Sequence, residues 1–335
     1  MSEDFKEIPD YFEIKTEEKK FKNRYALHIL LFVLTFITTT ISGMEWTTGN
    51  YGSYEFSELA RGLPYSITIL LMLTFHEFGH YFAARFHKIN TTLPFYIPFP
   101  PIPIFLNFGT MGAVIKTRSV IKNNKAMFDI GVAGPLAGFV VCVAVLIYGY
   151  SNLPGIDYLL KIHPDFLSPD YGKDTFSLEF GDTILMAFLR NILTEPGQFI
   201  PPLSEIYHYP YLCVGWFGLF ITSMNMIPVG QLDGGHVVYG MFGGKKHEAI
   251  ASIAMILLLV LGVVGLADSL LEFNLGIGWS GWLFWAFILY MFIKIKHPPV
   301  STFYTLGGKR MFLGYLSLFI FVISFSPTPF LLSVG

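Results

Sequence analysis

Residues 64–84 form an apolar run long enough to cross a membrane, and the run carries three ionisable side chains, His76, Glu77 and His80. The two histidines are four residues apart, so on a helix they share a face and both imidazoles can reach one metal ion. Glu77 can then accept a proton from a water molecule at that ion. Because ionisable residues are costly inside a membrane, we interpret H-E-x-x-H as a metal site rather than as a buried histidine satisfied by a backbone carbonyl.

The composition of the chain supports a membrane location for this run. The 335 residues are 53% hydrophobic and only 14% charged, against about a quarter charged in an ordinary soluble protein. The formal charge of −2 and the lack of a basic, aromatic-rich patch give no indication of a nucleic-acid partner. The fold class predicted is an all-α polytopic membrane protein in contact with the lipid bilayer.

Apolar runs divide the chain into a charged tail, residues 1–24, and a transmembrane domain, residues 25–335. We predict about six to seven transmembrane helices, at residues 25–42, 64–84, 127–150, 210–228, 249–270, 281–295 and 311–326. Lys and Arg cluster before the first run and after the second, which predicts a cytoplasmic N-terminus and an active site in the cytoplasmic half of the membrane. The membrane expected is a bacterial or archaeal plasma membrane.

Within residues 93–115, the stretch 93–103 cannot form a regular helix, because prolines recur between Pro94 and Pro103, and Gly109 and Gly112 are turn or bulge points in the stretch that follows. We expect an extended loop or β-hairpin at the cytoplasmic membrane face, close to the metal site. Its proline-free part could offer a strand edge that pairs with an unwound substrate. The candidate substrate-binding residues in that part are Phe108, Gly109, Met111, Gly112, Ala113 and Val114.

A broken segment at the end of the fourth apolar run offers a third metal ligand. A catalytic zinc usually takes three protein ligands and leaves one position for water. Asp233 is the favoured third ligand, because a buried aspartate in a turn requires a cation nearby. His236, three residues later, is the alternative.

Three motifs in this order resemble the site-2 protease family of intramembrane zinc metalloproteases. They are His76-Glu-Phe-Gly-His80, Gly134-Pro-Leu-Ala-Gly138, and Asn225 through Pro228 to Leu232-Asp-Gly234. From the residues alone, Gly134 and Gly138 are interpreted as helix-packing positions without a chemical role.

The resemblance covers residues 64–240 and implies a catalytic core of three helices. It implies one zinc ion per chain held by His76, His80 and Asp233, with Glu77 as general base and Asn225 stabilising the oxyanion. It also implies a membrane-associated β-hairpin between the first two core helices. The loop at 151–182 is too short for a PDZ domain, so the chain is similar to members of the family that lack one.

The function predicted is hydrolysis of peptide bonds within or near the transmembrane segments of membrane-protein substrates. The alternative is a membrane protein that binds metal without proteolysis, such as a zinc transporter, since transporters also place histidines and acidic residues in their spans. A transporter does not require a glutamate directly after its first ligand.

Overall fold

The computed structural model describes residues 24–334, except 51, 53–54, 101–106, 174–175, 272 and 274. The charged tail predicted at residues 1–24 therefore lies almost wholly outside the described residues. The described chain is mostly helical. Its helices are α1 Tyr25–Thr48, α2 Leu63–Phe86, α3 Asn124–Ser151, α4 Ile156–Ile162, α5 Ile184–Leu193, α6 Pro210–Met226, α7 Asp233–Phe242, α8 Gly244–Leu271, α9 Gly281–Ile288 and α10 Gly308–Ser324.

Three helical segments of the described chain are long and apolar enough to cross a membrane. They are Tyr25–Thr48, Asn124–Ser151 and Asp233–Leu271, the last formed by α7 and α8 together. A mostly helical chain with candidate membrane spans is the class that the sequence predicts, and at this level the prediction is confirmed. The count of six to seven spans stays a prediction.

The helices α2, α3 and α6 pack closely, because glycines face neighbouring helices. A side chain at Gly79 of α2 would meet the carbonyl of Ala133 on α3, and one at Gly218 of α6 would meet the Cys142 sulfur of α3. Small residues allow this close approach between apolar helices. The result is a compact central group of helices whose facing surfaces are fixed by van der Waals contact.

Two small antiparallel sheets accompany the helices. Strand β1, Phe95–Pro98, pairs with β2, Thr110–Val114, and the register shifts between Tyr96 and Pro98. Strand β3, Phe176–Phe180, pairs with β4, Phe330–Val334, close to the chain's end. Each sheet has two strands among the described residues, so β2 has no second strand neighbour in that part of the chain.

The segment that carries β1 and β2 runs along α1. The His28 ring donates to the Pro94 carbonyl (2.9 Å), the Thr38 hydroxyl donates to the Gly109 carbonyl (2.6 Å), and the Trp46 indole donates to the Asn107 carbonyl (2.7 Å). His28 and Trp46 are about 27 Å apart by helical rise. Side-chain donors along α1 therefore bind the carbonyls of this segment over most of the helix length, and its position at a membrane face stays a prediction.

Candidate metal centre

Helix α2 directs His76 and His80 to one point inside the helical group. Their Nε2 atoms are 3.1 Å apart, and both side chains are buried. The Asp233 Oδ2 atom lies 3.5 Å from the first Nε2 and 3.3 Å from the second. The structure thus brings together the two histidines of H-E-x-x-H and the aspartate of the broken segment.

Asp233 reaches this point because the chain breaks between α6 and α7. Helix α6 ends at Met226, where the next residues are Ile227 and Pro228, and α7 begins at Asp233 itself. Gly230 in the break has φ = +52°, a left-handed conformation that glycine adopts without steric cost. The aspartate is thereby placed on the first turn of a helix, beside α2.

The ring of His80 is oriented by α3. Its Nδ1 atom lies 2.7 Å from the Ile130 carbonyl, to which it donates, so the Nε2 lone pair is directed towards Asp233 and His76. On the same helix, Gly134 faces the His80 Nε2 atom, and Gly138 faces the His76 ring. The two glycines allow close helix packing, and the side chains that they approach are the two candidate ligand histidines.

The donor set fits a zinc ion. Two imidazole nitrogens and one carboxylate oxygen are the ligand types of catalytic zinc sites with an open fourth position. Ligand atoms about 2.1 Å from a tetrahedral ion lie roughly 3.4 Å from each other, which is close to the three separations between these ligand atoms. A side chain at Gly134 would fill the space beside the His80 nitrogen, and its absence leaves that nitrogen accessible.

Glu77 is buried next to this group, and the backbone amide of Ile115 faces its carboxylate. Ile115 directly follows β2, so the strand passes beside the candidate base. From β1, the Tyr96 hydroxyl bonds the Thr74 hydroxyl of α2 at 2.7 Å. Both strands are therefore attached to the helix that carries H-E-x-x-H.

Asn225, near the end of α6, places its Nδ2 atom 3.4 Å from the His76 Nε2 atom. Its amide is thus at the edge of the candidate centre. His236, the alternative third ligand, lies outside the group formed by the other three, and its Nδ1 atom is 2.8 Å from the His297 Nε2 atom. The geometry favours Asp233 over His236.

The six candidate substrate-binding residues divide into two groups. Phe108 packs against Phe217, with ring centroids 4.3 Å apart, and the Gly109 carbonyl accepts from Thr38, so neither is at the centre. Of the four in β2, Met111 and Val114 are exposed, Gly112 is half-buried and Ala113 is buried.

The structure adds three groups that the sequence reasoning did not assign to the site. They are the backbone carbonyl of Ile130, the backbone amide of Ile115 and the side-chain-free Cα of Gly134. Only the glycine had a signal in the sequence, as part of Gly134-Pro-Leu-Ala-Gly138. Backbone groups carry no such signal, because every residue has them.

An H-E-x-x-H helix inside an apolar helical group, with a carboxylate from a second helix, defines a membrane protein with a metallopeptidase-type centre. The profile of peptidase family M50 matches residues 64–264, more than half of the chain. The chain belongs to peptidase family M50, and the resemblance to site-2 proteases is confirmed.

Named relatives agree with this membership. The chain is 33% identical, over 61% of its length and 32% of the relative, to "Probable zinc metalloprotease EGY1, chloroplastic" of Oryza sativa subsp. japonica. It is 30% identical to the protein of that name in Arabidopsis thaliana, over 63% of this chain and 35% of the relative. It is 25% identical to "Probable zinc metalloprotease EGY2, chloroplastic" of Arabidopsis thaliana, over 81% of this chain and 43% of the relative. The chain thus spans about a third to two fifths of these relatives, and no solved structure matches it.

The predicted bacterial or archaeal plasma membrane is contradicted by these relatives, whose names place them in plant chloroplasts. The predictions of a cytoplasmic N-terminus and of an active site in the cytoplasmic half assumed that membrane, so they are wrong as well. The physical reason is that Lys and Arg bias reports the two sides of a membrane but does not identify which membrane it is.

Proposed function

We propose that this protein is an intramembrane zinc metalloprotease that hydrolyses peptide bonds within or near transmembrane segments of membrane-protein substrates. The observation that carries the proposal is the meeting of His76, His80 and Asp233 beside Glu77, all within the apolar helical group. Membership of peptidase family M50 and the zinc metalloprotease names of the relatives support it.

In this proposal His76, His80 and Asp233 hold one zinc ion. When it is bound, the ion would polarise the scissile carbonyl and lower the pKa of a water molecule beside it. Glu77 accepts the proton of the attacking water and delivers it to the leaving amine. The Asn225 amide donates to the oxyanion that develops on the carbonyl. Burial of these groups excludes bulk water, so the charges they meet are only weakly screened.

The architecture proposed has six to seven membrane helices around a catalytic core at residues 64–240, in which α2, α3 and α6 are the three core helices. The β1–β2 hairpin is associated with the membrane and holds substrate.

A substrate helix hides its peptide bonds in i→i−4 pairing, so it must unwind before cleavage. Its freed amides and carbonyls then need partners, which the open edge of β2 offers. The substrate-binding residues proposed are those of β2; Phe108 and Gly109, at the segment's other end, support the hairpin.

A chloroplast membrane is the location that the names of the relatives support. The bilayer itself and transmembrane proteins within it are the proposed partners.

The test is the isosteric variant Glu77→Gln. Purified wild-type protein in detergent or vesicles should cleave a panel of single-span membrane proteins, and the variant should retain its zinc while cleavage falls by about 10²–10⁴-fold. Glu58→Gln, a carboxylate outside α2, is the matched control and should cleave normally. Zinc uptake into sealed vesicles that survives in Glu77→Gln, with no cleavage by the wild type, would instead identify the transporter.

A further inference from the structure

A second group of metal-ligand side chains lies near the end of α1, outside the candidate active site. It consists of His163, which follows α4, together with Glu205 and His208, which lie just before α6. Gly43 of α1 packs against Tyr65 at the start of α2, and His76 is about 17 Å further along α2 by helical rise. We call these three residues the second cluster.

The second cluster has the same internal geometry as the candidate zinc site. The Nε2 atoms of its two histidines are 2.9 Å apart, against 3.1 Å between His76 and His80. The Glu205 Oε2 atom lies 3.7 Å from His163 Nε2 and 3.5 Å from His208 Nε2. Two imidazoles and one carboxylate thus converge on one point in both places.

One carboxylate oxygen of Glu205 has no donor in the part of the chain that the structure describes. This Oε2 atom is buried without a hydrogen-bond partner among those residues, and Glu205 is only 3% exposed. A buried carboxylate oxygen without a donor is strongly unfavourable. A hydrogen bond between the two histidines would satisfy their nitrogens but would still leave this oxygen bare, whereas a cation between the three would satisfy all of them.

Neighbouring groups hold the ligand atoms in the form that binds metal. The His208 Nδ1 atom donates to the Trp46 carbonyl at 2.7 Å, so its Nε2 lone pair is directed into the cluster. The Tyr171 hydroxyl donates to the other Glu205 oxygen, Oε1, at 2.9 Å, which leaves Oε2 free. This arrangement of a carbonyl behind a histidine matches Ile130 behind His80.

We propose that His163, Glu205 and His208 form a second metal site, which binds a divalent first-row transition ion and, by its ligand set, zinc. His163 is part-exposed, so the fourth position faces water. The ion would join the end of α4 to the segment before α6 and, through Trp46, to α1. Its role is to fix this end of the helical group rather than to cleave peptide bonds.

The test counts zinc in purified protein that is stripped with a chelator, equilibrated with buffered Zn²⁺ and freed of loosely bound metal. A His76→Ala/His80→Ala protein lacks the first site and should retain about one equivalent, against about two in the wild type. Adding His163→Ala or Glu205→Gln to this background should reduce zinc to none. His87→Ala, which changes a part-buried histidine outside both clusters, should leave it unchanged.

A second readout separates loss of metal from loss of fold. Zn²⁺ added to the stripped His76→Ala/His80→Ala protein should raise its melting temperature, because metal binds the folded state. The isosteric Glu205→Gln change should remove that rise while the protein elutes as the same species in size-exclusion chromatography. The second site would be overturned if neither His163→Ala nor Glu205→Gln changed the zinc content or the melting shift. It would also be overturned if the stripped His76→Ala/His80→Ala protein took up no zinc.

Discussion

Gly134 of α3 lies so close to the Nε2 atom of His80 that a methyl group at position 134 would overlap that atom. The atom at risk is the one proposed to bind zinc, and the His80 ring cannot move away freely, because its Nδ1 atom donates to the Ile130 carbonyl. The absence of a side chain at Gly134 is therefore a requirement of the proposed site as well as of helix packing.

The change Gly134→Ala should accordingly displace His80 and remove zinc from the first site, with loss of cleavage. Metal content of the purified variant checks this. Gly149→Ala is the matched control, because it lies on the same helix and its added methyl meets Leu212 Cδ2 at 3.0 Å and Tyr211 Cβ at 3.1 Å rather than a histidine. Full zinc occupancy of the first site in Gly134→Ala would show that the His80 ring tolerates a methyl group at position 134.

The amide of Asn225 is the proposed donor to the oxyanion. Replacing it in Asn225→Ala should lower kcat by about 10²–10³-fold with little change in zinc content, since such donors act mainly in the transition state. Met224→Ala alters the preceding residue, which packs against a different group of side chains, and should leave kcat near the wild-type value. If kcat is unchanged in Asn225→Ala, the oxyanion is stabilised by another group.

Much of the first site could be predicted from the sequence, because its key spacing is local. His76, Glu77 and His80 lie close together on one helix, so the periodicity of the helix alone places the two histidines on one face. Asp233 could be favoured because a buried carboxylate in a broken segment requires a cation. Its choice over His236 depended on which of two nearby side chains the start of α7 directs inward, and only the fold determines that.

The second cluster could not be predicted in this way. His163 and Glu205 are far apart in the sequence, and they meet because the end of α4 lies beside the segment before α6. The sequence also did not predict the path of the β1–β2 segment along α1. Its proline content indicated an extended chain but not that carbonyls from Pro94 to Gly109 would be bound by donors of α1.

Asn124, at the start of α3, joins three parts of the fold and is completely buried. Its Nδ2 atom donates to the carbonyls of Gly240 and Tyr304, and its Oδ1 atom accepts from the Tyr304 amide. Asn124→Ala should lower the free energy of unfolding by about 1–3 kcal/mol, because it removes the side-chain partner of the buried Gly240 carbonyl and of two part-buried backbone groups of Tyr304. Thermal unfolding in detergent measures this. Asn152→Ala removes an exposed hydrogen bond at the other end of α3 and should cost far less; equal effects would show that Asn124 is not a structural link.

The edge of β2 that faces Glu77 can be identified from the backbone amide of Ile115. This amide faces the Glu77 carboxylate, and in an extended strand the amide two residues earlier points to the same side. Ala113 therefore directs its amide towards the candidate active site, where an unwound substrate would need a donor, whereas Val114 directs its amide towards β1.

The change Ala113→Pro removes that donor and should reduce cleavage by about tenfold or more, the effect of losing one main-chain hydrogen bond to substrate. Zinc content should stay at the wild-type level, which separates substrate binding from metal loss. Ala113→Ser keeps the amide with a side chain of similar size and should cleave normally. A proline at Val114 should act mainly on thermal stability, because the amide it removes faces β1. Equal cleavage by Ala113→Pro and Ala113→Ser would show that substrate is held away from this edge, because the two variants differ chiefly in the one amide that the edge contributes.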